Sequence, residues 1–372
     1  MSAFQSGITE PAGSAQPPGD DRRSNLRVLI VIAAIAVILG VLVGIFNPLV
    51  NHAASVEGQN FDLLFSGMLG VATAIFVIVE GGLLYSIRTF RQRSEDDEEE
   101  VRPVRGHLGL EILWTAIPAV LVTATALSSY LVLWANERVQ PDAMTVEVTG
   151  RQFVWQFYYP SLNVTSTELH VPIGQQIHLE LHSEDVIHQF WVPAYRMQLA
   201  VLPETVTDLR FTARQPGTFL VECNKICGVG HSEMRTQLVA ETQDQFAAWL
   251  ASQSSSVVQP AGSAQASSPL AQGRQVFQLN GCAACHTLKD VGASGTIGPD
   301  LDGIGTLAAQ QIKDPSYKGH ATTAQDRIRE AIVSPYTYIP PGFQANVMPG
   351  NFGQTIKPDD LDALVSYLAA QK

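Results

Sequence analysis

The chain has 372 residues and a formal net charge of −12, and this length allows two or three domains. The negative charge disfavours nucleic acid as a partner, because a phosphate-binding surface needs clustered Lys and Arg. The four cysteines form two local pairs, each followed by a histidine, which indicates metal or haem chemistry rather than a disulfide framework.

Three apolar runs near the N-terminus each approach the roughly 20 residues that cross a bilayer. They lie at about 28–46, 63–87 and 110–134, after a polar segment, residues 1–24, whose composition predicts disorder. Arginines precede the first run and fill the loop between the second and third, so both segments are predicted to be cytoplasmic. Everything after about residue 135 is then extracytoplasmic, and the protein is a multi-pass protein of the bacterial plasma membrane. A cleaved signal segment remains an alternative for the first run.

From Met144 short runs of alternating apolar and polar residues are separated by Pro and Gly. The pattern predicts an antiparallel β-sandwich or barrel over residues 136–250. One loop of this domain carries two thiols, an imidazole and a thioether, and an earlier loop carries a second imidazole. These residues are Cys223, Cys227, His231 and Met234, with His188 in the earlier loop.

Soft sulfur ligands combined with imidazole suit copper, zinc or iron–sulfur clusters, and the methionine favours copper. A mononuclear blue-copper site needs only one cysteine. The second thiolate therefore predicts that both sulfurs bridge two copper ions. A disulfide between Cys223 and Cys227, or a structural zinc, is the alternative.

The string at residues 223–234, together with residues 183–193, resembles the CuA domain of cytochrome c oxidase subunit II. Residues 111–118 are similar to a membrane helix of the same family. The resemblance implies a cupredoxin-like fold and a binuclear CuA centre. It also implies that the backbone carbonyl of Lys225 joins the five side-chain ligands, and that Glu111 is the mouth of a proton path into subunit I.

Two positions depart from the pattern of that family. Lys225 stands where the family commonly has a glutamate that also binds magnesium, so a magnesium site is in doubt. Phe153 stands where the family usually has the tryptophan that accepts electrons from soluble cytochrome c. Trp155 is the neighbouring aromatic residue, and it is either an electron-transfer residue or simply part of the sheet packing.

A Ser-, Ala- and Gln-rich stretch, residues 251–270, predicts a flexible linker. It leads to Cys282, Cys285 and His286, whose C-x-x-C-H spacing is the attachment signature of c-type haem. Met348 is the predicted second axial ligand, because a methionine raises the haem potential in cytochromes c, and His320 is the alternative. An amphipathic helix near the C-terminus completes an all-α domain, residues 271–372, that resembles a class I cytochrome c.

The combined resemblance implies subunit II of a haem–copper terminal oxidase of the caa3 type, a multidomain membrane protein. Electrons from cytochrome c or another soluble donor would pass through haem c and CuA to subunit I, where oxygen is reduced to water and protons are pumped. Subunit III is a further expected partner, and no catalytic residue is expected in this chain. The alternatives are the corresponding subunit of a CuA-containing nitric oxide reductase and a membrane-tethered electron carrier without an oxidase. The copper ligands disfavour a quinol oxidase subunit.

Overall fold

The computed structural model describes residues 19–47, 50, 53–91, 106–254 and 268–372, with side chains for all of these except residues 19–23 and 254. The chain forms two compact units. The first comprises Met1–Asn51 and Asp62–Ser129, and the second comprises His52–Phe61 and Tyr130–Lys372.

Three long helices cover the N-terminal third: α1 (Gly19–Ile45), α2 (Val56–Thr89) and α3 (Leu108–Glu137). All three are long and apolar enough to cross a membrane, and their side chains are mostly exposed, as suits helices surrounded by lipid. The prediction of three long apolar helices is confirmed. α1 begins inside the segment predicted to be disordered, whereas residues 1–18 and the arginine-rich loop at 92–105 lie outside the described residues.

Ten strands follow the membrane helices. Their bounds are β1 (Met144–Arg151), β2 (Val154–Tyr159), β3 (Val164–Ser166), β4 (Leu169–Pro172), β5 (Gln176–Ser183), β6 (His188–Val192), β7 (Met197–Val201), β8 (Thr207–Thr212), β9 (Gly217–Cys223) and β10 (Arg235–Glu241). One sheet has the order β3-β2-β1-β5-β8 and the other the order β4-β10-β9-β6-β7. The cupredoxin-like sandwich is confirmed. The sheets are mixed, because β1 pairs with β5 and β4 with β10 in parallel; the sequence pattern had indicated antiparallel pairing alone.

Alternation along the strands builds the core of this copper domain. In β2 the side chains of Trp155, Phe157 and Tyr159 are buried, while the residues between them are partly exposed. The Tyr159 hydroxyl donates to the carbonyl of His170 (2.9 Å) and accepts from its N–H (2.8 Å). This pair of bonds ties β2 of one sheet to β4 of the other. Helix α4 (Gln243–Ser254) follows β10, and its Trp249 stacks on the His170 ring.

The C-terminal domain is largely helical, as predicted. Its elements are α5 (Pro269–Leu279), α6 (Cys282–Cys285), the short strands β11 (Thr287–Leu288) and β12 (Ala293–Ser294), then α7 (Ile304–Gln311), α8 (Ala324–Val333), α9 (Phe352–Thr355) and α10 (Pro358–Ala369). Local sequence explains the helix starts: Ser268 caps α5, and Thr323 forms a capping box with Asp326 at α8. The middle of the predicted linker, residues 255–267, lies outside the described residues.

Candidate metal centre and haem site

The copper domain brings all the predicted copper ligands together at one end of the second sheet. His188 is the first residue of β6 and Cys223 the last of β9, and these strands are hydrogen-bonded neighbours. The loop from β9 to β10 supplies the rest. The contacts are His188 Nδ1 to Cys223 Sγ, 3.9 Å; Cys223 Sγ to Lys225 O, 3.3 Å; Cys223 Sγ to Cys227 Sγ, 3.9 Å; Cys227 Sγ to His231 Nδ1, 3.4 Å; and Cys227 Sγ to Met234 Sδ, 3.9 Å.

The donor chemistry of this cluster fits copper. Cys223 and Cys227 are free cysteines, which argues against the disulfide alternative. A hydrogen bond links the two sulfur atoms, which are 3.9 Å apart, and this bond lowers the pKa of Cys223. The same bond, helped by burial, raises the pKa of Cys227, so the pair shares one proton. A bound cation removes the remaining proton, since thiolate is the form that ligates a metal.

His188 is held in position by Asp185 from the same loop. Its Nε2 lies 2.8 Å from Asp185 Oδ1, and its side chain is fully buried. Burial alone raises the pKa of Asp185, but the hydrogen bonds from His188, Gln152 and Val186 outweigh it and bring that pKa below its usual value. The carboxylate therefore stays charged and fixes the ring with Nδ1 towards the sulfur cluster, as outer partners of metal-bound histidines do.

Two further predicted sites in this half of the chain, Trp155 and Glu111, are not copper ligands. Trp155 is 1 % exposed and contacts Phe190 and His188 edge to face, with ring centroids 5.3 and 6.0 Å apart. It therefore packs in the core beside a copper ligand, and it is not a surface residue that a soluble donor could touch. Glu111 lies in the first turn of α3, where its carboxylate accepts from the N–H of His107; its role in a proton path stays a prediction.

A large cavity in the C-terminal domain collects the predicted haem residues. It encloses about 1320 Å³ of space, part of it open to solvent. Cys282, Cys285, His286 and Met348 all line it. His320 does not: it is exposed and lines a separate shallow pocket. The position of Met348 supports methionine over histidine as the second axial ligand.

The cavity also suits a haem in its polar details. His286 Nδ1 lies 2.7 Å from the carbonyl oxygen of Pro299, which leaves Nε2 available for iron. Burial lowers the pKa of His286, which favours the neutral imidazole that ligates metals. Arg327 lines the cavity at 3 % exposure, and its Nε and Nη1 atoms make no hydrogen bond to any described residue. Glu330 Oε2 lies 3.9 Å from Nη1, too far for a hydrogen bond, so these buried donors suit an anionic carboxylate such as a haem propionate.

Sequence patterns did not reveal four residues that shape these sites. Asp185 orients His188, Arg327 faces the haem cavity, and Arg151 and Gln152 contact both the copper domain and the C-terminal domain. Only Arg327 had a signal in the sequence, namely a basic residue on the apolar face of a helix, beside Ile328 and Ile332. Arg151 and Gln152 acquire their roles from the packing of segments that are distant in the chain, whereas Asp185 lies only three residues before the histidine that it orients.

Comparison with known proteins matches this architecture in three parts. Residues 44–132 match "Cytochrome C oxidase subunit II, transmembrane domain", residues 161–241 match "Cytochrome C oxidase subunit II, periplasmic domain", and residues 270–372 match "Cytochrome c". Cytochrome c oxidase subunit 2 of Alkalihalophilus pseudofirmus is 30 % identical over 311 residues, covering 81 % of this chain and 84 % of the relative. The chain belongs to the cytochrome c oxidase subunit II family.

Two further similarities accompany this match. Cytochrome c oxidase subunit 2 of a Synechocystis species is 30 % identical over 271 residues, covering 60 % of this chain and 81 % of the relative. The crystal structure of the periplasmic domain of subunit II of cytochrome oxidase of Bradyrhizobium japonicum covers 32 % of this chain and 98 % of that one, at 24 % identity and a TM-score of 0.31.

The family assignment gives the subunit its function and its surroundings. It is subunit II of a haem–copper oxidase with a cytochrome c domain fused at its C-terminal end, and it receives electrons for the complex. It has a transmembrane domain and an extracytoplasmic copper domain, and subunit I is its partner. The periplasmic domain implies a CuA centre and the cytochrome domain implies haem c.

Proposed function

We propose that this subunit takes electrons from cytochrome c or another soluble donor at a covalent haem c and delivers them through a binuclear CuA centre to subunit I. The observation that carries the proposal is the contact set at the copper cluster: five side chains and one carbonyl oxygen from two loops meet with donor atoms 3.3–3.9 Å apart. When bound, the haem c and the copper pair would each accept and donate one electron at a time. The residues of this chain hold them, exclude water and fix their ligands.

In the copper site, the two thiolates of Cys223 and Cys227 would hold the metal pair, and His188 and His231 would each supply one imidazole. Met234 and the carbonyl oxygen of Lys225 complete the donor set. Met234 is fully buried, and both cysteines are nearly so. A buried, rigid ligand set favours fast electron transfer, because little has to rearrange when the charge of the site changes.

In the haem site, Cys282 and Cys285 would attach the haem covalently, and His286 and Met348 would be its iron ligands. The rest of the cavity is mainly apolar, with Phe277, Leu364 and Leu368 in its lining. An apolar environment together with a methionine ligand raises the haem potential. This suits a group that accepts electrons from a soluble donor and passes them on within the chain.

The match of the membrane region to the subunit II transmembrane domain supports a complex with subunit I. Subunit III is a further proposed partner. Glu111 is the proposed mouth of a proton path at the cytoplasmic end of α3. The side chain of Lys225 is exposed, and an ammonium group does not bind magnesium. We therefore do not assign to this residue the magnesium-binding role that a glutamate has in relatives.

Metal analysis of the purified full-length complex tests the two-centre assignment. After correction for the metals of subunit I, we expect two copper atoms and one haem c iron for each copy of this chain. One copper atom would contradict the bridged pair, and zinc in place of copper would support the structural alternative. Oxygen consumption with reduced cytochrome c as the donor tests the complete path in the same sample.

A further inference from the structure

The turn between β1 and β2 lies between the copper cluster and the haem cavity. Gln152 and Phe153, which form this turn, line the same cavity as Cys285. On its other side, Gln152 Nε2 donates a hydrogen bond of 2.5 Å to the carbonyl oxygen of Cys227, a predicted copper ligand. The turn therefore lines the haem cavity and contacts the copper loop directly.

A second chain of contacts leads from the same turn to the copper cluster. The backbone N–H of Gln152 donates to Asp185 Oδ2 at 2.8 Å, and Asp185 in turn holds His188. The Phe153 ring packs so tightly on the copper loop that a Cβ atom at Gly230 would overlap it. Two residues of the turn thus connect the haem cavity to two copper-ligand residues by hydrogen bonds and close packing.

Arg151, the last residue of β1, fastens the cytochrome domain beside this turn. Its Nη1 donates to Asn280 Oδ1 (3.1 Å) and its Nη2 to the carbonyl of Leu279 (3.5 Å), at the end of α5. Glu184 of the copper domain lies 3.5 Å from Nη1 and balances the charge. Arg151 and Asn280 are each only 9 % exposed, so these bonds are shielded from water and salt.

Shape complementarity reinforces these polar contacts. Gly281 has a φ of 70°, and a Cβ atom there would lie 2.6 Å from Cβ of Val154. Cys285 packs on the hydrophobic core of the copper domain. The linker only keeps the two domains at a high effective concentration; it does not determine which faces meet. The contacts of Arg151, Gly281 and Cys285 determine which face of the cytochrome domain meets the copper domain.

We propose that Arg151 is a positioning residue that clamps the cytochrome domain onto the β1–β2 turn and so keeps Gln152 and Phe153 between the haem and the copper pair. The inference rests on the proposed function, because it needs both groups in this chain. With both groups bound, the contact would serve the transfer of one electron from the haem to the copper pair, a step in which no bond or proton is exchanged. Opening the clamp lengthens the path, and electron transfer slows steeply with distance.

Three variants of the full-length complex test this role. Arg151→Ala removes the clamp, Arg151→Lys keeps the charge and one donor, and Arg329→Ala is a matched control. Arg329 pairs with Asp362 inside the cytochrome domain and does not line the haem cavity. Two properties are measured: amide hydrogen exchange across residues 279–285 and the β1–β2 turn, and the rate of electron transfer from photoreduced haem c to the copper pair.

For Arg151→Ala we expect exchange in these two segments to rise roughly tenfold or more, because a hydrogen bond to a charged group is lost at a buried contact. The rate from haem to copper should fall, and Arg151→Lys should recover part of both effects. The copper and haem spectra should be unchanged, as should the second-order rate at which an external donor reduces the haem. Exchange or a transfer rate equal to that of Arg329→Ala would overturn the inference.

Asn280→Ala removes the same hydrogen bond from the other side and keeps the test usable if Arg151→Ala does not fold. Combined with Arg151→Ala, it should add little to the effect of Arg151→Ala alone, since Arg151→Ala already removes the bond to Asn280. Additive effects would argue against a shared clamp. Missing copper or haem bands in the unsubstituted protein would instead contradict the proposed function itself, so the two failures are distinguishable.

Discussion

In the copper domain the proposed ligands contact one another, whereas in the cytochrome domain they line a cavity. His188 and Cys223 end two neighbouring strands of a sandwich whose core is filled by its own side chains. Cys282, Cys285 and Met348 instead line a cavity of about 1320 Å³, part of it open to solvent, in a domain of short helices. The first site is built by the sheet, and the second is built around the group that it binds.

Because of this difference, folding depends on the bound group to a different extent in the two domains. A sandwich with a complete core does not need its metal in order to fold, so the copper site is a property of the finished fold. A small helical domain with a large apolar cavity lacks the contacts that the haem would supply, and such missing contacts are costly. We therefore expect the cytochrome domain to depend on its prosthetic group for stability far more than the copper domain does.

Loss of haem attachment should have the largest effect. In the double variant Cys282→Ser, Cys285→Ser no thioether can form, and we expect α5 and α10 to lose their protection from amide hydrogen exchange. The strands of the copper domain should keep theirs. Equal loss of protection in both domains would contradict this difference in dependence, because it would mean that the two domains fold as one unit.

Removal of one bridging thiolate is the opposite experiment. Cys227→Ser should abolish binding of the copper pair, because a hydroxyl is a poor ligand for copper compared with a thiolate. The haem bands and the exchange protection of the β-strands should remain. Copper content and the mixed-valence spectrum measure the loss. Ser232→Ala, in the same loop with an exposed side chain, is the control and should keep both coppers.

Substitution of the second axial ligand tests the haem site while the haem stays attached. Met348→Ala should lower the haem potential by a sizeable part of the roughly 0.8 V range that axial ligands control, because the thioether favours the ferrous state. His320→Ala should leave the potential unchanged, since His320 does not line the cavity. A redox titration of the haem band measures both variants, and the reverse pattern would make His320 the ligand.

The same contrast explains how much the sequence could predict. Cys223, Cys227, His231 and Met234 lie within one loop, so their spacing alone defined the copper set, and residues 282–286 did the same for haem attachment. The alternation in β2 predicted its buried face. The contact of Arg151 with Asn280 joins residues 129 positions apart, and no local pattern encodes such a pair. The parallel pairing of β1 with β5 escaped prediction for the same reason, because it depends on how the chain crosses between the sheets.

Loss of the carboxylate that orients one copper ligand should have a moderate effect. Asp185→Asn leaves His188 without its charged partner, and we expect copper affinity to fall roughly 10- to 100-fold, as for other outer-shell partners of metal ligands. Competition with a copper chelator measures this fall. Asp208→Asn is a matched control, because Asp208 contacts His178 at the same distance of 2.8 Å away from the copper cluster. An equal fall in both variants would remove the case for a specific role of Asp185.

The smallest expected effect comes from the cap of α8, the helix that carries Arg327, Ile328 and Ile332 to the haem cavity. Thr323→Ala removes the side chain that accepts from the N–H of Asp326, and loss of such a cap costs about 1 kcal/mol. The denaturation midpoint followed at the haem band should fall, while the midpoint followed at the copper band should not. Thr323→Ser, which keeps the hydroxyl, should restore most of the difference. Because the cap stabilises one helix of one domain, a shift of both midpoints together would show that the clamp at Arg151 couples the stabilities of the two domains as well as their positions.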